Sequence, residues 1–298
     1  MIVLSESSPQ LEVSASSADI DRSTEAARLA GCKVYHIPQE LPEGVSVDDA
    51  LCHVPVHEPV VDAIWVGYIP LPQHYQEMHA AALARNVRLV NSPEEFRRAE
   101  EFDRFYPIIS DITAKSLVIE SIEECEATSL LLGFPIFVKG AVQSLKAKGL
   151  DACVAHDLDQ LRHIASRLLR SHRRTLGKII VRQYIPLRYT RTGPGGFPFG
   201  REFRLFLLHG QVVGHGYYWE GEDDLAHLNT DEFQTVFALA CETAARLAVP
   251  YLAVDIGQLV SGEWVVIEVG DAQFSGLSKV PIHTLWNNLR NNLDRPPQ

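Results

Sequence analysis

The chain has 298 residues and is 46% hydrophobic, which is enough for one large or two to three small folded domains. Its formal net charge of -11 argues against a nucleic-acid partner, because binding to a phosphate backbone requires a basic surface. No window holds 18 consecutive apolar residues, the amino terminus lacks a basic segment followed by an apolar core, and the five cysteines form no CxxC pair. We therefore expect a cytoplasmic protein with reduced thiols, no membrane segment and no structural zinc site.

The first hundred residues alternate short apolar runs with helical patterns, which is typical of an α/β domain. They predict a helix over 21–32, a strand over 63–69, a helix over 74–87 and a strand over 88–90. Ser92, followed by Pro93 and two glutamates, predicts the start of a helix that continues to residue 105. The histidines of HVPVH (53–57) could serve a metal, but the proline between them and the lack of a third ligand nearby favour a loop or edge strand.

A strong apolar strand, FPIFVKG (134–140), delivers Lys139 to its end. Ligands of α/β proteins bind near strand ends, and a lysine at such an end can bind phosphate. The alternative is that Lys139 is a solvent-exposed residue at the end of its strand. The next segment, 140–149, is rich in small residues and carries Ser144, Lys146 and Lys148. It is able to fold over phosphates with its backbone N–H groups and lysines, although it lacks the P-loop pattern GxxxxGK[ST].

The following elements are a strand over 150–155, a helix capped by Asp157, a strand over 178–185 and a glycine-rich loop over 191–200. A hairpin then turns at His209-Gly210 and places Glu202 and Arg204 on one strand face. A half-buried arginine needs an anionic partner, and a phosphate group can accept two parallel hydrogen bonds from its planar guanidinium group. The alternative is a Glu202–Arg204 pair within one strand at a sheet edge.

A helix over 231–248 separates this hairpin from a second one, which contains two carboxylates. If Ser261-Gly262 is a two-residue turn, Val260 faces Glu263 and Asp255 faces Glu268. Opposed like charges destabilise a sheet, but a magnesium ion bound to both carboxylates and to substrate phosphates would stabilise them. Asp271, just past the strand, is then a third ligand or orients one. The alternative is that one carboxylate faces solvent across an open sheet.

The ordered set of a strand-end lysine, a glycine loop, RQYI, an Arg-Glu-x-Arg strand and paired Asp and Glu resembles the ATP-grasp superfamily over about residues 107–280. Within it, the sequence is most similar to the branch that holds the eukaryotic cell-division-cycle protein 123, an assembly protein of an initiation factor, with bacterial and phage relatives. The resemblance implies an α/β and α+β protein. An N-terminal α/β domain (1–106) would precede two α+β subdomains (107–178 and 179–298) with ATP between them.

The resemblance also implies roles for individual residues. Lys139 would reach the nucleotide phosphates, the 140–149 loop with Lys146 and Lys148 would cover them, and Arg204 would face the transferred phosphoryl group. Arg188 or Arg201 would help Arg204. The nucleotide-binding linker would comprise Arg182, Gln183, Tyr184 and Ile185. The backbone groups of Tyr184 and Ile185 would form hydrogen bonds with the edge of the adenine ring. The magnesium ligands would be Asp255 and Glu268, with Asp271 in the place where many family members have asparagine.

The implied activity is that of a Mg-ATP-dependent ligase, which activates a carboxylate substrate as an acyl phosphate for attack by an amine acceptor. Because glycine-rich loops commonly line substrate clefts, we expect the acceptor near the 191–200 loop and the N-terminal domain. Two alternatives stay open at this point. One is an ATP-binding assembly factor, and the other is a kinase that stops at phosphoryl transfer.

Overall fold

The computed structural model describes residues 1–8, 14–41, 44–141, 145–170, 175 and 177–294. Within these residues the chain forms three four-stranded sheets. The first is parallel and the other two are antiparallel, so the predicted order of an α/β unit followed by two α+β units is confirmed.

The N-terminal sheet has the strand order β2-β1-β3-β4. Its strands are β1 (Ile2–Ser5), β2 (Lys33–His36), β3 (Val61–Val66) and β4 (Val87–Leu89). The accompanying helices are α1 (Ala15–Leu29), α2 (Val47–Ala50), α3 (Pro72–Leu83) and α4 (Pro93–Glu100). Helix α1 begins six residues before the predicted start, because Ser14 and Ser17 form a capping box there.

The predicted helix from Ser92 to residue 105 is two helices. Ser92 and Glu95 form the expected capping box, but Glu101 has an extended backbone, with φ -87° and ψ 114°, and ends α4. Helix α5 (Phe102–Ile109) then starts and buries Phe102 and Phe105. The break leaves Glu100, at the end of α4, beside the cleft described below.

The central sheet has the order β5-β8-β6-β7. Its strands are β5 (Ser116–Ile119), β6 (Ile136–Gly140), β7 (Val154–Ala155) and β8 (Ile179–Gln183), and α6 (Cys125–Leu132) and α7 (Leu158–Leu169) pack against it. Asp157 caps α7 as predicted. The predicted strand over 150–155 is wrong in its first half, where Leu150–Ala152 form a 3-10 turn that leaves two residues to pair with β6.

The C-terminal sheet has the order β10-β9-β11-β12. Its elements are β9 (Glu202–Leu208), β10 (Gln211–Tyr217), α8 (Thr230–Leu247), β11 (Tyr251–Gln258), β12 (Trp264–Asp271) and α9 (Ile282–Leu293). Leu208 pairs with Gln211, which confirms the turn at His209-Gly210. Phe203 and Leu205 pack under α8, whereas Phe206 packs with α1 and α9 residues on the opposite face. Arg204 shares the face of Phe206 because strand residues alternate.

The second hairpin reaches its predicted pairing by a different route. The two-residue turn is wrong: Leu259, not Val260, pairs with Glu263, and three residues form the loop. A β-bulge at Ile267 then adds one residue to β12 between the Ile256–Val266 and Asp255–Glu268 pairs. The extra loop residue and the extra bulge residue offset each other, so the predicted pairing of Asp255 with Glu268 is confirmed.

Candidate active site

A cleft of about 170 Å³ between the central and C-terminal sheets collects four of the predicted side chains. They are Lys139 at the end of β6, Arg204 on β9, Asp255 on β11 and Glu268 on β12. Because these residues come from four strands of two sheets, the cleft exists only when both sheets pack together.

Arg204 is held by Asp255 across the β9–β11 pair. Its Nε and Nη2 atoms donate to the two carboxylate oxygens at 2.8 and 2.7 Å, and Nη1 donates to the Gly276 carbonyl at 2.7 Å. Burial disfavours the guanidinium charge, but Asp255 raises the pKa of Arg204 overall. The alternative of a Glu202–Arg204 pair at a sheet edge is wrong, since β9 lies inside the sheet and the partner is on β11.

Lys139 forms an ion pair with Glu268. Lys139 is only 8% exposed, which rules out a solvated strand end. Burial lowers the pKa of Lys139, and Glu268 counteracts that shift. Burial alone would raise the pKa of Glu268, but Lys139 and Lys146 outweigh it and lower that pKa to about 2. Glu268 therefore stays ionised at neutral pH.

Lys146 lies on the side of the cleft that adjoins the predicted linker, with its Nζ 5.7 Å from the ring centroids of Tyr218 and Trp219. Nearby acidic groups, Glu202 first among them, raise its pKa against the effect of burial. Lys148, by contrast, is exposed and lines none of the cavities described here. Ser144 and the rest of 142–144 lie outside the described residues.

Glu202 is a site residue to which the sequence analysis gave no role of its own. It is 4% exposed, and its Oε2 atom has no hydrogen-bond partner among the described residues. Burial raises its pKa to about 7, although Lys146 acts in the opposite direction. A buried acceptor without a donor is costly in a folded chain. The available sequence signal was its position two residues before Arg204 on the same strand face.

A largely apolar pocket adjoins Lys146 and Glu202. It contains all four residues of the predicted linker, together with part of the glycine-rich loop and the bulged Ile267. The loop residues that line this pocket are Phe197, Pro198 and Gly200. The 191–200 loop therefore lines the pocket at the linker, and none of its residues lines the cleft.

Within the linker, Arg182 connects the central sheet to the C-terminal sheet by hydrogen bonds. It is 8% exposed, and it donates to Ser116 Oγ at 2.9 Å and to the carbonyl of bulged Ile267 at 2.5 Å. Burial lowers its pKa. The backbone N–H of Tyr184 donates to the Pro135 carbonyl at 3.2 Å, so that donor is used within the protein.

Asp271 lies outside the group that lines the cleft. It is fully buried, and its Oδ1 accepts from the Gln273 backbone at 2.9 Å. Burial raises its pKa to about 6, against the hydrogen bonds from Asn91 and Gln273. Its own N–H donates to Glu100 at 2.7 Å. Direct metal binding by Asp271 stays a prediction.

Arg201, expected to help Arg204, has other partners. Its Nη1 donates to Glu232 at 2.5 Å and to Gln258 at 2.6 Å, and its Nη2 donates to Glu232 at 2.9 Å. Arg201 therefore holds the start of α8 to β11. Glu100, in contrast, lines the cleft, and burial raises its pKa to about 8, which keeps it largely uncharged at neutral pH.

A cavity of about 720 Å³ lies on the other side of the cleft, between the N-terminal and C-terminal sheets. It is walled by α1, by the segment after β3 and by residues 272–277. The cavity and the cleft share Ile69, Phe274, Ser275 and Gly276, so these residues form the passage between them.

Asp255 and Glu268 are suitable for a magnesium ion that also contacts phosphates. Among the described residues, no group of three or more His, Cys, Asp or Glu side chains is arranged to hold a metal. Magnesium commonly takes one or two carboxylates and completes its shell with substrate phosphates and water. The neighbouring cations Lys139, Lys146 and Arg204 would offset the charge of such phosphates.

Comparisons with known proteins identify the fold and the family of this chain. No curated protein matches the sequence significantly. Among solved structures, D-alanine–D-alanine ligase from Bacillus anthracis complexed with ATP has a TM-score of 0.67 at 11% identity, covering 98% of this chain and 94% of that one. The RimK domain ATP-grasp protein from Sphaerobacter thermophilus has a TM-score of 0.60 at 16% identity, covering 98% of both chains.

A third neighbour is the ATP-grasp ligase PsnB, complexed with a minimal precursor, Mg and ADP. Its TM-score is 0.58 at 14% identity, covering 99% of this chain and 98% of that one. These likenesses show the fold. No helix in the described ranges is long and apolar enough to cross a bilayer. The sequence model of an ATP-grasp domain, family 3 of the R-two-K clade, matches residues 130–289, more than half of the 298 residues. The chain therefore belongs to this family of ATP-grasp domains.

Proposed function

We propose that the protein is a Mg-ATP-dependent ligase that joins a carboxylate to an amine through an acyl phosphate. The observation that carries this proposal is the order of three neighbouring cavities in the molecule. It runs from an apolar pocket, along a cleft with Lys139, Arg204, Asp255 and Glu268, to a cavity beside the N-terminal domain. An adenosine, a triphosphate and a second substrate fit this order.

The nucleotide contacts follow from the same order. Adenine would lie in the apolar pocket and form hydrogen bonds with the Tyr184 carbonyl and the Ile185 N–H. The Tyr184 N–H would not take part, because it already donates to the Pro135 carbonyl. Glu202 lines that pocket, whereas Arg204, two residues further along β9, lines the cleft. Because the ribose joins adenine to the phosphates, its hydroxyls would donate to the unpartnered Glu202 Oε2.

Lys139 and Arg204 would hold the negative charge that develops when the γ-phosphoryl group moves to the substrate carboxylate. Asp255 and Glu268 would hold magnesium, which when bound would neutralise charge on the phosphate oxygens. The acceptor, after its ammonium group loses one proton to solvent, would then attack the acyl carbon from the passage at Gly276 and form the C–N bond. The C–O bond to phosphate breaks, and the phosphate leaves with the second proton from the nitrogen. No protein nucleophile is needed for this sequence of steps.

The test is incubation of the purified protein with Mg-ATP and pools of amino acids, short peptides and small carboxylates. We expect ADP and phosphate in equal amounts, together with a new amide detected by mass spectrometry. ADP with a phosphorylated product would instead establish a kinase. Tight ATP binding without turnover, with a co-purifying protein, would favour an assembly factor, as the narrower resemblance to the cell-division-cycle protein 123 branch implies.

A further inference from the structure

We infer that Asp19 is a positioning residue that binds the acceptor amine as a cation, and that the acceptor has an apolar or aromatic body without negative charge. This inference rests on the proposed function, since it identifies the large cavity as the acceptor site. It adds the chemical class of the acceptor and a residue that selects it.

The walls of the cavity favour an apolar body. Large apolar and aromatic side chains such as Phe206, Phe274 and Trp286 line it, interspersed with hydroxyls from Ser23 and Tyr68. Its volume of about 720 Å³ lies in the range of small-molecule sites, roughly 300–1,000 Å³. An acceptor with an apolar or aromatic group would therefore bury that group here.

The charged side chain that lines the cavity is acidic. Among the described residues that line it, Asp19 is the one with a charged side chain. A primary amine is protonated at neutral pH, and a carboxylate binds it through a charge-assisted hydrogen bond. An acceptor with an additional carboxylate would lose hydration in a cavity that has no lysine or arginine among its described lining residues, so the cavity would disfavour it.

Asp19 also lies at the passage to the cleft. Its Oδ2 accepts from the Leu277 backbone at 3.3 Å. A Cβ atom built on Gly276 would lie 3.3 Å from Asp19 Oδ2 and 3.5 Å from Arg204 Nη1. An ammonium held by Asp19 at this point is therefore next to the arginine that would hold the transferred phosphoryl group.

The existing partner of Asp19 leaves it available. Arg22, one turn along α1, contacts the other oxygen, Oδ1, and its own side chain is 60% exposed. Exposed ion pairs on a helix contribute little free energy, so an ammonium in the cavity competes well for the carboxylate. Glu25 and Arg28 form the same kind of i,i+3 pair on α1, and neither lines the cavity.

The experiment measures binding of four probes to the nucleotide-free protein by titration calorimetry and saturation-transfer NMR. The probes are phenethylamine, L-phenylalaninamide, 2-phenylethanol and 3-phenylpropionate. We expect the two amines to bind at least about tenfold more tightly than 3-phenylpropionate, because the ammonium donates a charge-assisted hydrogen bond to Asp19 and the carboxylate is repelled by it. Asp19→Asn should remove this preference, and Asp19→Glu should restore part of it.

Glu25→Gln is the matched control and should leave the preference intact. Failure of both amines to bind at millimolar concentration, equal binding of 3-phenylpropionate, or an unchanged preference in Asp19→Asn would overturn the inference. ATP binding to the same variants distinguishes this failure from failure of the proposed function. With an acceptor from the pool assay, Asp19→Asn should raise the KM for that amine and leave the KM for ATP unchanged.

Discussion

Arg204 and Asp255 occupy paired positions on neighbouring strands and share two parallel hydrogen bonds of 2.8 and 2.7 Å. Asp255 also lies opposite Glu268 on its other side. Asp255 is thus the central member of a row Arg204–Asp255–Glu268 across three strands. In the proposed function it both orients the phosphate-binding arginine and contributes to the magnesium site.

Asp255→Asn should abolish the magnesium dependence of ATP binding and reduce turnover below detection. The amide removes a charge from the proposed metal site and leaves Arg204 without its anionic partner. Breaking a buried ion pair costs about 3–5 kcal/mol, so the free energy of unfolding should fall as well. Titration calorimetry of ATP with and without magnesium, and urea unfolding, measure the two effects.

The control for this variant is Asp111→Asn. Asp111 also binds an arginine through two hydrogen bonds, from Arg246 at 2.6 and 3.1 Å, but its side chain is 63% exposed and outside the cleft. Asp111→Asn should change neither ATP binding nor turnover. Normal magnesium-dependent binding by Asp255→Asn would show that the metal site proposed here is wrong.

Glu202→Gln should weaken ATP binding several-fold but leave binding of 2′,3′-dideoxy-ATP nearly unchanged. The proposed contact is between the ribose hydroxyls and the buried Oε2, and a carboxylate accepts such hydrogen bonds more strongly than an amide does. Glu263→Gln, at an exposed position in the loop that precedes β12, is the control. Equal weakening of both nucleotides would instead indicate a structural role for Glu202.

Gly195→Ala should weaken ATP binding more than Gly196→Ala. Both glycines have positive φ, 61° and 72°, so alanine strains either backbone. Only at Gly195 would the new Cβ meet another backbone, at 2.7 Å from Gly149 Cα at the end of the predicted lid. Nucleotide titrations of the two variants separate this clash from the shared strain. Equal effects would show that the contact between loop and lid is unimportant for binding.

Glu232→Gln should reduce the dependence of stability on acidic pH. Hydrogen bonds from Arg201, together with its charge, lower the pKa of Glu232 from 4.5 to about 2. A lowered pKa means that the stabilisation is complete above pH 4.5 and is lost as pH falls towards 2. The unfolding free energy of the wild type should therefore fall more steeply over this range than that of Glu232→Gln. Parallel curves would contradict the assignment.

Local signals in the sequence predicted local structure well. The cap at Ser92, the cap at Asp157 and the turn at His209-Gly210 are confirmed because each depends on a few neighbouring residues. The start of α1 was missed because its capping box uses Ser17 where glutamate or glutamine is usual. The break at Glu101 was missed because no glycine or proline occurs between residues 94 and 106 to mark it.

The order of the strands along the chain and the types of side chain that line the cleft could be predicted without coordinates. The pairing of β11 with β12 was sufficient to place Asp255 opposite Glu268, whereas only the family resemblance assigned Arg204 to the same site. Family resemblance added Lys139. These are properties of strand geometry and motif order, which act over short stretches of chain.

Which charges pair and which stay unpartnered depends instead on the packing of distant segments. Lys139 meets Glu268 across 129 residues, and Asp19 meets Leu277 across 258. Glu202 Oε2 has no donor among the described residues, whereas Asp255, on the next strand, accepts two hydrogen bonds from Arg204. Such contacts form only when separate sheets and helices come together, and no local periodicity carries that information.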